Sequence, residues 1–144
     1  ILLSKYEPYG GRGKSLFTID SYWNSAANGL SFTIDRATTQ AWARTTANAL
    51  PAFGWYLVTA TYSSSDGPRI YVNGAEVSYS YRAVGEGSPA SESGDPLLMG
   101  KRWTGAADSF KGNLDDVRVY NRALTPTEVS DLYELTSRKV QFQP

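Results

Sequence analysis

The sequence predicts an all-β antiparallel sandwich with one short C-terminal helix. Three observations carry that expectation. The first is Trp55 to Val77 (WYLVTATYSSSDGPRIYVNGAEV), which reads as strand, turn, strand, tight turn and strand. Tyr56, Val58, Ala60 and Tyr62 alternate with Trp55, Leu57, Thr59 and Thr61, the period of two that a half-buried strand requires. Ser63 to Pro68 has turn composition, and Asn73-Gly74 is the dipeptide a type I′ hairpin turn favours, because both central residues need positive φ. The second is the density of aromatic residues, 10 Tyr, 4 Trp and 5 Phe in 144 residues, which suits pleated surfaces. The third is Thr125-Pro126-Thr127-Glu128, a capping box with Pro at the first helical position, followed by Val129, Leu132 and Tyr133 at helical spacing.

Ile1 to Lys5 reads as a strand, and Tyr6 to Lys14 (YEPYGGRGK) as a Gly/Pro loop. Gly10-Gly11-Arg12-Gly13 is no phosphate cradle, because no helix follows it. Ser15 to Tyr22 and Gly29 to Arg36 are two more strands, each containing Phe-Thr-Ile-Asp; nothing else recurs at that spacing, so this is no internal duplication. Gln40 to Arg44 is a short strand carrying Trp42. Ala75 to Tyr81 is expected as the third strand of the central meander, and Val84 to Asp95 (VGEGSPASESGD) as a long polar surface loop. Leu97 to Met99 is a strand, and Arg102 to Ser109 a loop with Trp103. Lys139 to Pro144 alternates again, as a tail or the start of a following module.

Several of these stretches resemble the laminin-G-like, concanavalin A-like lectin/glucanase domains. Trp55, the polar turn, Ile70-Tyr71-Val72-Asn73-Gly74 and the return strand are similar to that family's central hairpin. Pro96 to Arg102 (PLLMGKR) is similar to its strand ending in Gly-Lys or Gly-Arg, Phe110 to Leu124 (FKGNLDDVRVYNRAL) to its closing strand, and Thr125 to Val129 to the helix after it. The resemblance implies a single jelly-roll sandwich over residues 1–144, with Trp55 as a core residue. It also implies one or two strands ahead of the one matching Ile1 to Lys5, so the sandwich is expected to be completed by a neighbouring domain or another chain.

Composition narrows the function. With 14 basic and 14 acidic residues the formal charge is zero, which argues against nucleic acid as a partner. There is no Cys and no His, so thiol and imidazole chemistry and Cys/His zinc sites are excluded. No apolar run reaches the length of a transmembrane helix, so helical membrane insertion is not expected. A glycosidase needs two carboxyl groups about 5–5.5 Å or about 6.5–9.5 Å apart. Asp115 and Asp116 are adjacent and point to opposite faces of an expected strand, and Asp20 and Asp35 lie at strand ends. A non-catalytic domain is the reading.

Aromatic rings stacking on sugar faces are the usual basis of carbohydrate recognition on sandwiches. Trp23 beside Asn24, Trp103 beside Arg102, and Trp42 on its strand are the candidate ligand-binding residues; the facing of Trp42, Tyr79 and Tyr81 stays open. Asp116 is either a calcium ligand or a buried carboxylate bonded to loop N–H groups or to Arg118 or Arg122, and the second is favoured. Calcium is thus the one cofactor to consider. The expected function is a binding module of an extracellular or cell-surface protein that takes a glycan. The alternative is an adhesive or structural building block whose partner is another protein.

Overall fold

The structure is a computed structural model, and it describes residues 2–7, 14–20, 29–50, 54–88, 97–101 and 109–140. Among these residues two antiparallel sheets and one helix form. The strands are β1 (Leu3–Glu7), β2 (Lys14–Asp20), β3 (Ser31–Ile34), β4 (Ala41–Thr45), β5 (Val58–Ser63), β6 (Gly67–Val72), β7 (Ala75–Glu76), β8 (Tyr79–Ala83) and β9 (Leu97–Met99). The helix α1 spans Pro126–Val140 and so takes in Lys139 and Val140. The larger sheet runs β8-β4-β3-β2-β1-β9 and the smaller β5-β6-β7. The two Phe-Thr-Ile-Asp stretches sit on adjacent strands, where Thr18 faces Thr33 and Ile19 faces Phe32.

The core lies where β3 and β4 face β5 and β6. Leu30, Phe32, Ile34, Ala41, Ala43 and Ile70 are buried, with Val58, Ala60, Tyr62 and Val72 packed against them. Those β5 residues are the ones the period-two pattern places on one face. Burying a side chain such as Ile70 or Phe32 stabilises by roughly 1.5–3 kcal/mol. The Asn73-Gly74 turn has φ of 51° and 82°, as a type I′ turn requires. Asn73 also ties the strand entry down: its N–H donates to the Leu57 carbonyl at 2.9 Å and its Oδ1 accepts from Leu57 N–H at 3.0 Å.

Three expectations are corrected. Ala75 to Tyr81 is not one strand. β7 ends the small sheet at Glu76, the chain crosses at Val77–Ser78, and β8 pairs with β4 in the large sheet. The meander therefore bridges the layers, held at the crossing by Val77 N–H on the Ile70 carbonyl at 3.1 Å and Thr46 N–H on the Ser78 carbonyl at 3.0 Å.

Trp55, expected in the core, is 69% exposed. The β5–β6 ladder begins at Val58↔Val72, so Trp55 lies past the end of the sheet, beyond its last paired position among the described residues.

The closing strand within Phe110 to Leu124 does not form either: residues 113–120 join no sheet, and Leu114, Val117, Val119 and Tyr120 are exposed. Within this stretch Asp116 has a φ of 50°, in the left-handed region and outside the range of a β-strand. Asp tolerates that conformation, and Asp115 supports it by accepting from Asp116 N–H at 2.8 Å, a local bond that competes with a ladder.

Gly85 sits after β8 with φ of 73°, and a Cβ there would come within 2.6 Å of the Ala41 amide nitrogen. Gly85→Ala is expected to cost more than about 1 kcal/mol, because it combines backbone strain with a clash against main chain that cannot swing away. Urea unfolding of the variant against the parent checks this, and an unchanged midpoint contradicts it.

Candidate functional site

The site grows out of the sequence Ala41-Trp42-Ala43-Arg44-Thr45. On β4 the small residues Ala41, Ala43 and Thr45 are buried and Trp42 and Arg44 point the other way, onto the outer face of the large sheet. Register then fixes their neighbours. Trp42 stands opposite Thr33 on β3 and Ala83 on β8, and Arg44 opposite Ser31 and Tyr81. Directly opposed residues share a face, so these six form one patch. Ser31 and Thr33, small and polar, are buried on that face beside their two large neighbours.

Tyr79 and Tyr81 are two apart and would share a face in a regular strand. A register shift separates them: Arg44 pairs with Tyr81 but Thr45 with Tyr79, leaving Ser80 as the extra residue of a bulge. Ser80 Oγ closes the bulge by donating to the Thr45 carbonyl at 2.9 Å. Tyr81 therefore faces outward, 51% exposed, whereas Tyr79 turns inward. There the Tyr79 hydroxyl accepts from Ile70 N–H at 2.9 Å and donates to Glu76 at 2.8 Å. Burial pushes the Tyr79 phenol well above its ordinary pKa.

The Arg44 guanidinium carbon lies 4.4 Å from the Trp42 ring centroid and 5.7 Å from that of Tyr81, both within cation–π range. Two rings and a guanidinium thus make an outward platform. It can stack against a sugar face and offer N–H donors at the rim of the stack.

A second concavity, about 310 Å³, lies between the small sheet and the start of α1, lined in part by Thr61, Asp66, Arg69, Tyr71, Leu124 and Pro126. Its polar groups are already committed to one another. Arg69 donates to Asp66 and, at 2.6 Å, to Glu76, while Arg82 approaches Asp66 at 3.2 Å. The helix start is capped: Thr125 N–H donates to Glu128 Oε2 at 2.8 Å and Glu128 N–H to Thr125 Oγ1 at 3.2 Å. Asp66 is the turn residue its sequence context implied, and its side chain serves as an ion-pair partner.

Of the sequence candidates, the structure places Trp42 on the platform. Trp23, Asn24, Arg102 and Trp103 lie outside the described residues. Asp116, expected to be buried, is on the surface, with its side chain 47% exposed. Its expected pairing holds: Arg118 donates to both carboxylate oxygens, at 2.8 and 2.7 Å. The left-handed turn turns Asp116 toward its own neighbour and away from the sandwich. Among the described residues no three Asp, Glu, His or Cys gather as a metal cluster. Sequence reasoning did not single out Arg44 or Ser31. The cross-strand register that joins them to Trp42 is not readable from one strand, although the outward Trp-x-Arg spacing was there to find.

A family profile described as the concanavalin A-like lectin/glucanases superfamily, of laminin-G type, matches residues 7–130. No curated protein and no solved structure matches the chain.

Two predictions come from this geometry. Hydrogen bonds from Arg69, opposed in part by desolvation and reinforced by Arg82, hold Asp66 at a pKa of about 2. Arg122, with the Thr125 amide, holds Glu128 at about 2. Both carboxyls sit lower folded than unfolded, so they stabilise the fold above about pH 4 and lose that contribution as pH falls toward 2. Asp66→Asn is expected to flatten the acid limb of a melting-temperature profile. Both groups are solvent-exposed, so the effect is expected to be modest and to shrink with salt. For Asp116, Asp116→Asn keeps the left-handed tolerance and removes the charge. It should shift stability by less than about 1 kcal/mol, with equal melting temperatures in calcium and in chelator. A calcium-dependent rise that the variant abolishes would contradict this.

The profile spans most of the chain, and two facing antiparallel sheets with a terminal helix agree with it. The chain belongs to the concanavalin A-like lectin/glucanase superfamily.

Proposed function

We propose that this domain is a non-catalytic carbohydrate-binding module of an extracellular or cell-surface protein. Its two sheets are taken as the layers of a jelly roll, and its ligand lies on the outer face of the large sheet. One observation carries the reading: Trp42 and Tyr81 flank Arg44 on that face, which gives a sugar ring an aromatic surface with donors beside it. Superfamily membership supports a binding role. The paired state of Asp66 and Asp116 supports a non-catalytic one, since each carboxylate is bonded to an arginine. Trp23, Asn24, Arg102 and Trp103 belong to the proposal as loop residues contributing to the same ligand.

A second reading, an adhesive or structural building block, has its own support. Residues 113–120 expose Leu114, Val117, Val119 and Tyr120, and β5 carries a ladder on one edge only among the described residues. An extended segment and an open edge suit strand addition by another polypeptide.

A glycan array followed by titration calorimetry separates the two. Under the first reading Trp42→Ala weakens binding of the selected glycan by ~1–3 kcal/mol, about 5- to 150-fold in Kd, while the melting curve stays cooperative. An array without hits, or affinity unchanged in Trp42→Ala, removes the platform from carbohydrate binding.

A further inference from the structure

We infer that the platform reads the carboxylate of an acidic sugar, a uronate, and that Arg44 is the residue that reads it. This rests on the carbohydrate reading above and names the class of sugar.

The observation is a guanidinium whose hydrogen-bonding capacity is unused. Arg36 donates to Tyr62 and Gly87, Arg69 to Asp66 and Glu76, Arg82 to Asp66 and Pro68, Arg118 to Asp116, and Arg122 to Glu128. Arg44 makes no such side-chain hydrogen bond to a described residue; its contacts are the rings of Trp42 and Tyr81. Its Nε is closed off from solvent and has no partner. Across the strand pair Ser31, on the same face and 5% exposed, also has a buried Oγ without a partner. Two adjacent polar groups without partners beneath the aromatic rim depart from the rule that buried polar groups are satisfied, and they single out this face and its guanidinium.

The chemistry of the missing partner follows from the donor. A guanidinium is a planar fork of five N–H donors that matches a planar carboxylate through two parallel bonds. Stacking on Trp42 fixes the plane of the fork in advance, so little freedom is lost on binding. A neutral hydroxyl accepts from such a fork at one point only. Sugar and carboxylate are met together: Tyr81 and Trp42 take the ring face, and Arg44 between them takes its acid.

The test compares matched ligands on the whole chain by calorimetry. The panel is oligosaccharides of galacturonate, glucuronate and mannuronate, each beside its neutral methyl ester. At least one uronate is expected to bind about tenfold or more tightly than its ester, with a preference that falls as salt rises. Arg44→Gln should bring acid and ester to equal Kd while ester binding persists. Arg44→Lys, which keeps the charge and loses the fork, should keep only part of the preference. If acid and ester bind the parent equally, or if Arg44→Gln keeps the preference, the uronate assignment is overturned and the carbohydrate reading stands. Dextran sulfate binding without any uronate preference overturns it equally. Absence of binding to acids and esters alike, with Trp42→Ala as silent as the parent, overturns both. Should neither variant fold, the parent's acid-to-ester ratio decides alone.

Discussion

The close approach of the two sheets at β4 is the constraint on which the rest depends. Ala41 and Ala43 are completely buried and small, and Ile70 of the facing sheet is buried against the same cluster. Sheets normally pack about 10 Å apart, with side chains from both inner faces interdigitating. With alanines on β4, most of the filling comes from Ile70, Val58, Val72 and Tyr62 on one side and Phe32, Ile34 and Leu30 on the other. Because a strand alternates strictly, reserving the inner positions for alanine fixes Trp42 and Arg44 as the outer ones. The same five residues thus set the core and the site, and a one-residue slip of β4 would exchange them.

The bulge at Ser80 is the second device, and it serves both sheets. Without it Tyr79 and Tyr81 would both face outward. With it Tyr79 reaches inward to bond Ile70 N–H and Glu76, stitching β8 to the small sheet, while Tyr81 completes the platform. Arg82, the next residue after Tyr81, points inward, where its guanidinium accompanies the Asp66–Arg69 pair and donates to the Pro68 carbonyl at 2.9 Å. Tyr79, Tyr81 and Arg82 of one short strand therefore divide between structure and surface, and the divider is the Ser80 hydroxyl on the Thr45 carbonyl.

Much of the fold was legible in sequence because its signals are local. The Asn73-Gly74 turn, the Thr125–Glu128 capping box and the inward set Val58, Ala60 and Tyr62 all depend on residues close in the chain. What was missed depends on partners distant in sequence. The single strand expected from Ala75 to Tyr81 alternates well enough, but which sheet each half joins is decided by Ile70 and Thr46, not by the segment. Trp55 and the stretch around Asp116 show the limit of pattern and resemblance: alternation describes a strand only when another strand lies beside it. For the site, Trp42 was named from residue type alone. Arg44 and Ser31 acquire meaning only through the β3–β4–β8 register.

Charge shows the same separation between composition and placement. A formal net charge of zero argues against a broad polyelectrolyte surface, yet it says nothing about where single charges go unanswered. Here the acids of the described surface are drawn to particular arginines: Asp66 and Glu76 to Arg69, Asp116 to Arg118, Glu128 to Arg122. Those four pairings join residues two to seven positions apart, and Arg82, sixteen positions on, adds to Asp66 across the sheets. Arg44 has Ala43 and Thr45 beside it, and aromatic rings in place of carboxylates across its face. A neutral protein can in this way keep one cation aimed at whatever settles on its sheet.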